Sequence, residues 1–369
     1  MAGLYIHIPF CEKKCGYCDF YSVDNGHYLI DDYINSLKQE LRYYREKYNP
    51  SYNTIYIGGG TPTSLSEKQL DYLFTVLFAD SPKKNFKEIT IEANPETITE
   101  KKAKVISLNA TRASIGGQSF SSSVLKNLGR IHSAEKTAEA VSLLREKGVG
   151  NLNIDLMSGV PGQDAECVIN DIKKAAALEP GHISFYMFTA YEGTRFFKEA
   201  QGKEADGESP EMYIKGAGAL EAAGYRRYEI SNFALPGKEC VHNMNYWQGG
   251  SYIGIGAAAS SFFEGSRYTN VKDVEKYIKL IKAGSDPAEI AEKPSKEELV
   301  REFIMLGLRM RIGIDEREFR ERFKFDFYGK YSKIIDDLEA REMLEKKDGF
   351  ISLTLKGVLV SNSVISDFF

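Results

Sequence analysis

Between Leu4 and about Tyr228 the chain repeats one unit: a short apolar run that reads as a strand, then a longer stretch with helical periodicity. Leu4–Ile8, Thr54–Ile57, Glu88–Glu92, Arg112–Ile115, Asn151–Leu156 and His182–Met187 are the expected strands, and Asp31–Tyr48, Ser121–Leu128, Ala134–Lys147 and Ala165–Leu178 the expected helices. Ser66 with Gln69, and Thr97 with Glu100, read as helix starts, because a hydroxyl and a polar side chain three residues on can satisfy the first free N–H groups. Strand–helix alternation at this spacing demands a parallel sheet, since parallel neighbours need a crossover connection. Six such units predict an α/β fold, an incomplete (β/α)6 barrel over residues 1–230. In parallel α/β folds the ligand lies at the carboxyl ends of the strands.

Beyond Tyr228 the alternation stops. A stretch rich in Gly, Asn, Tyr and Trp forms an expected extension over 231–290, followed by a linker through Ala283–Ser295. The pattern of three helices and then short strands over 291–369 resembles a small winged-helix-like domain. That domain type often binds DNA, but 369 residues with a net charge of −4 give no support to nucleic-acid binding. No basic, apolar leader opens the sequence, and no apolar run approaches the ~20 residues of a membrane span. With Cys167 and Cys240 isolated and the other cysteines clustered, the expected setting is the reducing cytoplasm.

The cluster is Cys11, Cys15 and Cys18, on the loop after the first strand. Clustered thiolates select iron–sulfur clusters, zinc or copper(I). Structural zinc usually takes four ligands in two separated pairs, and no partner pair follows here. Three ligands suit a [4Fe–4S] cluster with one iron left open, with a structural zinc protein as the competing reading. Other unusual groups also fall just after strands: Gly58-Gly59-Gly60-Thr61, Glu92, Gln118, and Asp155 before Gly159-Val-Pro161-Gly162. Glycines let backbone approach a ligand and expose N–H groups. Each polar residue alone is more often structural; together, at the ends of successive parallel strands, they describe one pocket rim.

The CxxxCxxC spacing is similar to the signature of the radical S-adenosylmethionine (SAM) superfamily. The runs LYIHIPFCEKKCGYCDF, YIGGGTPT, IEANPETI, RASIGGQSF, LGRIH, NIDLMSGVPGQ and CVHNMNYW, in that order, resemble the HemN/HemW family within it, and its HemW branch in particular. The resemblance spans nearly the whole chain. It implies that Cys11, Cys15 and Cys18 hold the cluster, that its open iron chelates SAM, and that an electron from the cluster can cleave SAM to a 5′-deoxyadenosyl radical. It further implies that Gly59, Gly60 and Thr61 line the methionine end of SAM and that Glu92, Gln118, Arg130 and Asp155 contact SAM, with Gln118 and Asp155 on the ribose. Tyr5 and Phe20 would flank the cluster loop.

Two features separate the branches of that family. The coproporphyrinogen III oxidase has a further cysteine two residues after the third ligand, where this chain has Phe20, and a long arm before the cysteines, where ten residues precede Cys11. The expectation is therefore a haem chaperone, with a radical-SAM oxidoreductase acting on coproporphyrinogen III or a related tetrapyrrole as the alternative. Whether it is an enzyme is left open. The resemblance implies haem at His242-Asn-Met-Asn-Tyr246-Trp247, the HNxxYW motif; histidine is a good axial ligand and Cys240, two residues earlier, is a candidate second one, while the competing reading of the residues is that Trp247 and its neighbours simply pack the loop. The implied partners are haem-accepting respiratory proteins, with membrane association only through them and a homodimer left open. The chain departs from the family at Gly117, where Val is frequent. It also lacks a histidine that relatives commonly carry in the stretch Gly254–Ser261.

Overall fold

The computed structural model describes residues 1–79, 81–200 and 208–369. Six parallel strands form its centre: β1 (Ala2–Ile8), β2 (Tyr52–Gly59), β3 (Glu88–Ala93), β4 (Arg112–Gln118), β5 (Asn151–Ser158) and β6 (His182–Met187). The crossovers are α1 (Ile30–Tyr48), α2 (Glu67–Phe78), α3 (Glu100–Asn109), α4 (Ser122–Leu128), α5 (Ala134–Glu146) and α6 (Ala165–Ala177). The sheet curves without closing, so the incomplete barrel expected from the alternation is the observed architecture.

The strands alternate strictly although both faces are buried. Outward residues such as Leu4, Ile6, Ile55, Ile57, Ile89, Ile91, Ile154 and Ile183 pack beneath the helices and are almost fully buried. Each such side chain contributes roughly 1.5–3 kcal/mol of hydrophobic free energy. The inward partners are polar: Thr54 faces Glu88, Tyr56 faces Thr90, and Ser114 faces Asn153, which faces His182. A parallel strand buried on both faces is usually apolar throughout. Here hydrogen bonds satisfy part of the lumen instead: Asn153 Nδ2 donates to Ser114 Oγ (2.6 Å) and Asp155 Oδ1 (2.7 Å), and its Oδ1 meets His182 Nδ1 at 2.6 Å, whereas Thr90 Oγ1 and Arg112 Nε and Nη1 are buried without a partner among the described residues.

After α7 (Arg195–Ala200) and α8 (Glu208–Ala222), residues from Arg226 on rejoin the sheet. The short β7 (Arg226–Arg227) and β8 (Asn232–Ala234) extend it beyond β6. The helix α9 (Val241–Trp247) then crosses to the other edge, where β9 (Tyr252–Ile255) pairs parallel with β1. β10 (Ser260–Phe263), β11 (Ser266–Asn270) and β12 (Ala288–Glu292) complete twelve strands, with α10 (Val274–Lys282) packed on α1. The expected linker Ala283–Ser295 therefore needs correction: β12 lies within it, paired to β11.

The last unit holds α11 (Lys296–Arg309), β13 (Ile314–Asp315), α12 (Glu316–Phe323), α13 (Phe327–Ala340), β14 (Leu344–Lys347), β15 (Phe350–Leu353), α14 (Leu355–Leu359) and α15 (Ser361–Ser366). Its three-stranded sheet and three longer helices enclose an aromatic core around Phe319, Phe323 and Phe327. Ser66 and Gln69 form the expected capping box on α2. Thr97 does not cap α3: it closes a short 3₁₀ turn with its hydroxyl on Asn94 O (2.8 Å), and Thr99 is the cap, accepting from Lys102 N.

Candidate functional site at the mouth of the barrel

The loop after β1 is held at its neck by Phe10 and Val23, which form an isolated bridge, with Cys11 N donating to Val23 O at 3.0 Å. Cys11 is buried; Cys15 and Cys18 are half-buried, and none of the three is in a disulfide. The end of β2 is stitched to this loop: Gly60 N donates to Ile8 O and Thr61 N to Phe10 O, both at 2.8 Å. A Cβ on Gly60 would lie 2.9 Å from Phe10 O and 3.0 Å from Cys11 Sγ, so only glycine fits. Three free thiols on one loop are the donor set an iron–sulfur cluster takes, and the residues present fit it. Among the described residues no three His, Cys, Asp or Glu side chains converge as the ligands of one ion would. A four-iron cube takes one thiolate at each of three separate corners, so this spread is compatible with the cluster.

A polar chain leads from the cysteines across the mouth. Thr61 Oγ1 lies 3.5 Å from Cys11 Sγ and accepts from Asn94 Nδ2 at 3.0 Å. Asn94 Oδ1 accepts from Arg130 Nη2 at 2.9 Å, and Arg130 Nη1 comes within 3.6 Å of Cys15 Sγ. Cys15, Thr61, Asn94, Glu96 and Arg130 line a narrow cleft at the mouth. Glu92 sits deeper, accepting from Tyr56 Oη (2.8 Å) and Gly59 N (3.1 Å), and the lack of a Cβ on Gly58 makes room for its carboxylate. Burial pushes its carboxyl up to about 7, against those two donors and with Asp155 adding to the rise. Burial also raises Asp155, which the Ser184, Asn153 and Ser114 side chains oppose.

Gln118 ends β4 with φ of +65°, a left-handed conformation unusual for a side-chain-bearing residue. Tyr5 stands inside the barrel, stacked near Tyr56, with its hydroxyl 3.0 Å from His7 Nδ1; Phe20 is 67% exposed on the cysteine loop. Twelve of the thirteen residues singled out from the sequence for cluster, SAM and haem thus lie on strands β1–β5 or in the segments that lead on from their carboxyl ends: Tyr5, Cys11, Cys15, Cys18, Phe20, Gly59, Gly60, Thr61, Glu92, Gln118, Asp155 and, just after α4, Arg130. Tyr5 lies lower in the lumen, and His242 is elsewhere.

Residues 5–175 match the model of the radical SAM superfamily, and residues 295–360 that of the HemN C-terminal domain. The chain is 34% identical to a protein of Bacillus subtilis named heme chaperone HemW, covering 100% of this chain and 99% of that one. Its counterpart in Lactococcus lactis is 35% identical over 99% and 96%. The chain belongs to the HemW family of radical-SAM proteins. Coproporphyrinogen III oxidase (HemN) from Escherichia coli shares the fold, with a TM-score of 0.82 over 99% of this chain and 89% of that one, at 22% identity. Membership of the radical-SAM superfamily implies a [4Fe–4S] cluster and SAM.

In this HemW-family chain the HNxxYW segment lies at the opposite end of the barrel from the cysteines. It forms α9 beneath the first residues of β1, β2 and β3. His242 is fully buried, with Nδ1 on Thr54 Oγ1 at 2.8 Å and Nε2 on Tyr246 Oη at 2.9 Å. Burial, with the Arg112 charge adding, lowers its pKa to about 3. Cys240 is also fully buried, with Sγ 3.3 Å from Glu88 Oε1.

Two residues of the mouth were not singled out from the sequence. Asn94 lies just past the end of β3, where period-two alternation no longer tells which way a side chain points; its membership of the motif Glu92-Ala-Asn94-Pro95 was the available signal. Asp171 accepts from Ser119 Oγ (2.5 Å) and Phe120 N (2.7 Å), and so holds the turn that carries Gln118. A carboxylate on the buried face of α6, between Val168 and Ile172, was its signal.

Proposed function

We propose that this protein is a cytoplasmic haem chaperone. In this reading it holds a [4Fe–4S] cluster and SAM at the mouth of its barrel, binds haem and delivers it to respiratory haemoproteins. The observation that carries the reading is the full-length likeness to proteins named heme chaperone, together with a free-thiol loop stitched to a glycine strand end. Phe20 supports it, since it fills the position where the oxidase branch has a further cysteine.

Cys11, Cys15 and Cys18 would hold the cluster, which would supply one electron and a metal site for the amino and carboxylate groups of SAM. The Gly58–Gly60 strand end brings backbone within reach of the methionine moiety. Glu92, fixed by Tyr56 and the Gly59 N–H, offers its remaining lone pairs to an ammonium. Arg130 is a guanidinium set to pair with a carboxylate. Gln118 ends β4 and Asp155 faces inward from within the adjacent β5, where a ribose can accept and donate hydrogen bonds. Tyr5 closes the lumen below.

The test is a haemin titration of the anaerobically reconstituted protein, run beside a 5′-deoxyadenosine assay with coproporphyrinogen III. Saturable binding near one haem per chain, with no substrate-dependent 5′-deoxyadenosine, is the expected result. No specific haemin binding, with coproporphyrinogen-dependent SAM cleavage, would replace the chaperone by the oxidoreductase.

A further inference from the structure

The HNxxYW segment reads as a haem site, yet its geometry in this fold is that of a joint. Both nitrogens of the His242 imidazole are engaged, to Thr54 on β2 and to Tyr246 on its own helix. The space around the ring is closely matched to it: a Cβ on Gly3 would lie 3.0 Å from His242 Cε1 and 3.2 Å from its Nδ1, so a side chain there would push against the imidazole. The Tyr56 ring lies 5.2 Å away and the Tyr246 ring meets it edge-on at 4.9 Å. Nothing in this packing leaves a ring nitrogen free for iron.

The start of α9 is fixed as firmly. Glu88, at the first position of β3, accepts from the backbone N–H groups of Val241 (3.0 Å) and His242 (3.1 Å) as well as contacting Cys240 Sγ. The helix therefore closes the amino end of the lumen through three successive strands. Its far end faces the C-terminal unit. The Arg309 guanidinium, on the last residue of α11, lies 4.9 Å over the Trp247 ring. Beside it Arg311 N donates to Tyr228 O at 3.0 Å, and Glu229 bridges Met310.

We propose that His242, Tyr246 and Trp247 are positioning residues of a joint that shuts the amino end of the barrel and seats the C-terminal domain on it, and that the haem iron is bound elsewhere in the protein. Its haem half rests on the chaperone reading; its joint half does not. A ligand histidine needs a free nitrogen and an approach for the porphyrin, whereas a keystone histidine needs what is seen here: two satisfied nitrogens, no exposure, and a cavity matched to its ring.

Trp247 is the only tryptophan in the chain, so fluorescence excited at the red edge, where the 22 tyrosines do not absorb, reports on this joint alone. The experiment compares the full-length wild type with His242→Ala, His242→Gln and Tyr246→Phe. It follows melting and the Trp247 emission maximum on the apoprotein, and haemin affinity on the same samples. Gln can keep a hydrogen bond towards Tyr246 but is a poor iron ligand. The joint predicts that His242→Ala lowers the melting temperature and red-shifts Trp247, that His242→Gln recovers most of both, and that His242→Gln binds haemin within roughly threefold of wild type. Loss of haemin affinity by about tenfold or more in His242→Gln, with melting and emission as in wild type, would make His242 a ligand and overturn the inference. Unchanged melting and emission in His242→Ala would overturn it too. Absence of haemin binding by the wild type would sink the chaperone reading alone, and the melting and emission data would still decide the joint. If His242→Ala does not fold, Tyr246→Phe and His242→Gln supply the same comparison.

Discussion

Arg130 and Asn94 share a 2.9 Å hydrogen bond that completes a chain from Cys11 through Thr61 and Asn94 to Arg130 and back to Cys15. Two of the three loop cysteines are thereby tied to the ends of β2 and β3 and to the loop after α4. The arrangement holds the cysteine loop against the mouth. It also places one buried positive charge beside thiols that become anionic when they take iron.

Arg130→Met should leave the fold intact by circular dichroism yet weaken SAM binding by about tenfold or more. The lost interaction is a charge-assisted bond to a carboxylate, of the order of 1.5–3 kcal/mol. Arg130→Lys should rescue little, because an ammonium cannot serve Asn94, Gly116 O and Cys15 together. Calorimetric titration of SAM into the reconstituted protein measures this, and wild-type affinity in Arg130→Met would remove Arg130 from the site.

Gly60→Ala should abolish more than half of the reconstituted iron and sulfide. Its Cβ would press on two backbone carbonyls, Phe10 O and Ile8 O, and on Cys11 Sγ, and none of these can swing aside as a flexible side chain would. Iron and sulfide assays with the 400 nm absorbance check it. Gly148→Ala, where no atom lies within 4 Å of the added Cβ although φ is +97°, is a control for glycine loss away from the mouth.

Asp171→Asn should lower SAM affinity several-fold with iron content unchanged. Asn can offer only one good acceptor where the carboxylate receives both Ser119 Oγ and Phe120 N, and each buried donor left unpaired costs about 1–3 kcal/mol. The turn that forces Gln118 into its left-handed conformation would loosen. Equal loss of iron and SAM would instead mark Asp171 as a general support of the fold.

Glu40 gives a pH dependence. It is fully buried on α1, accepting from Tyr277 Oη (2.5 Å), Asn270 Nδ2 (2.6 Å) and Gly256 N (2.8 Å), and burial pushes its carboxyl up to about 7 in spite of them. The folded chain therefore keeps this proton longer than the unfolded chain does. Stability from this group is full below the unfolded value near 4.5, falls as pH rises to about 7, and is level above. Glu40→Gln should remove that part of the slope, on the order of 3 kcal/mol across the window. The difference between wild-type and Glu40→Gln denaturant midpoints, measured from pH 5 to 8, isolates it from Glu92 and Asp155, whose buried carboxyls shift in the same direction. A constant difference across that range would refute the assignment.

The alternation of short strands and amphipathic helices made the open parallel barrel legible, because strand and helix periods are local and a parallel pair requires a crossover. The cysteine spacing and the polar residues at successive strand ends were legible for the same reason: in a parallel sheet all carboxyl ends face one way. Ser66 and Gln69 could be read as a cap because they are three residues apart. Thr97 was misread because Pro95 starts a 3₁₀ turn first and delays the helix to Thr99.

What only the tertiary structure decided depends on contacts between distant segments. The pairing of β9 with β1 joins residues about 250 apart, and no local period encodes it. The inward direction of Asn94 and the support from Asp171 arise where loops fold over strand ends. His242 shows the limit most clearly. By residue type and motif it is a ligand; by position it is wedged between Gly3, Thr54 and Tyr246. A histidine's chemistry is set by what occupies its two nitrogens, and those neighbours come from β1, β2 and α9, which only folding brings together.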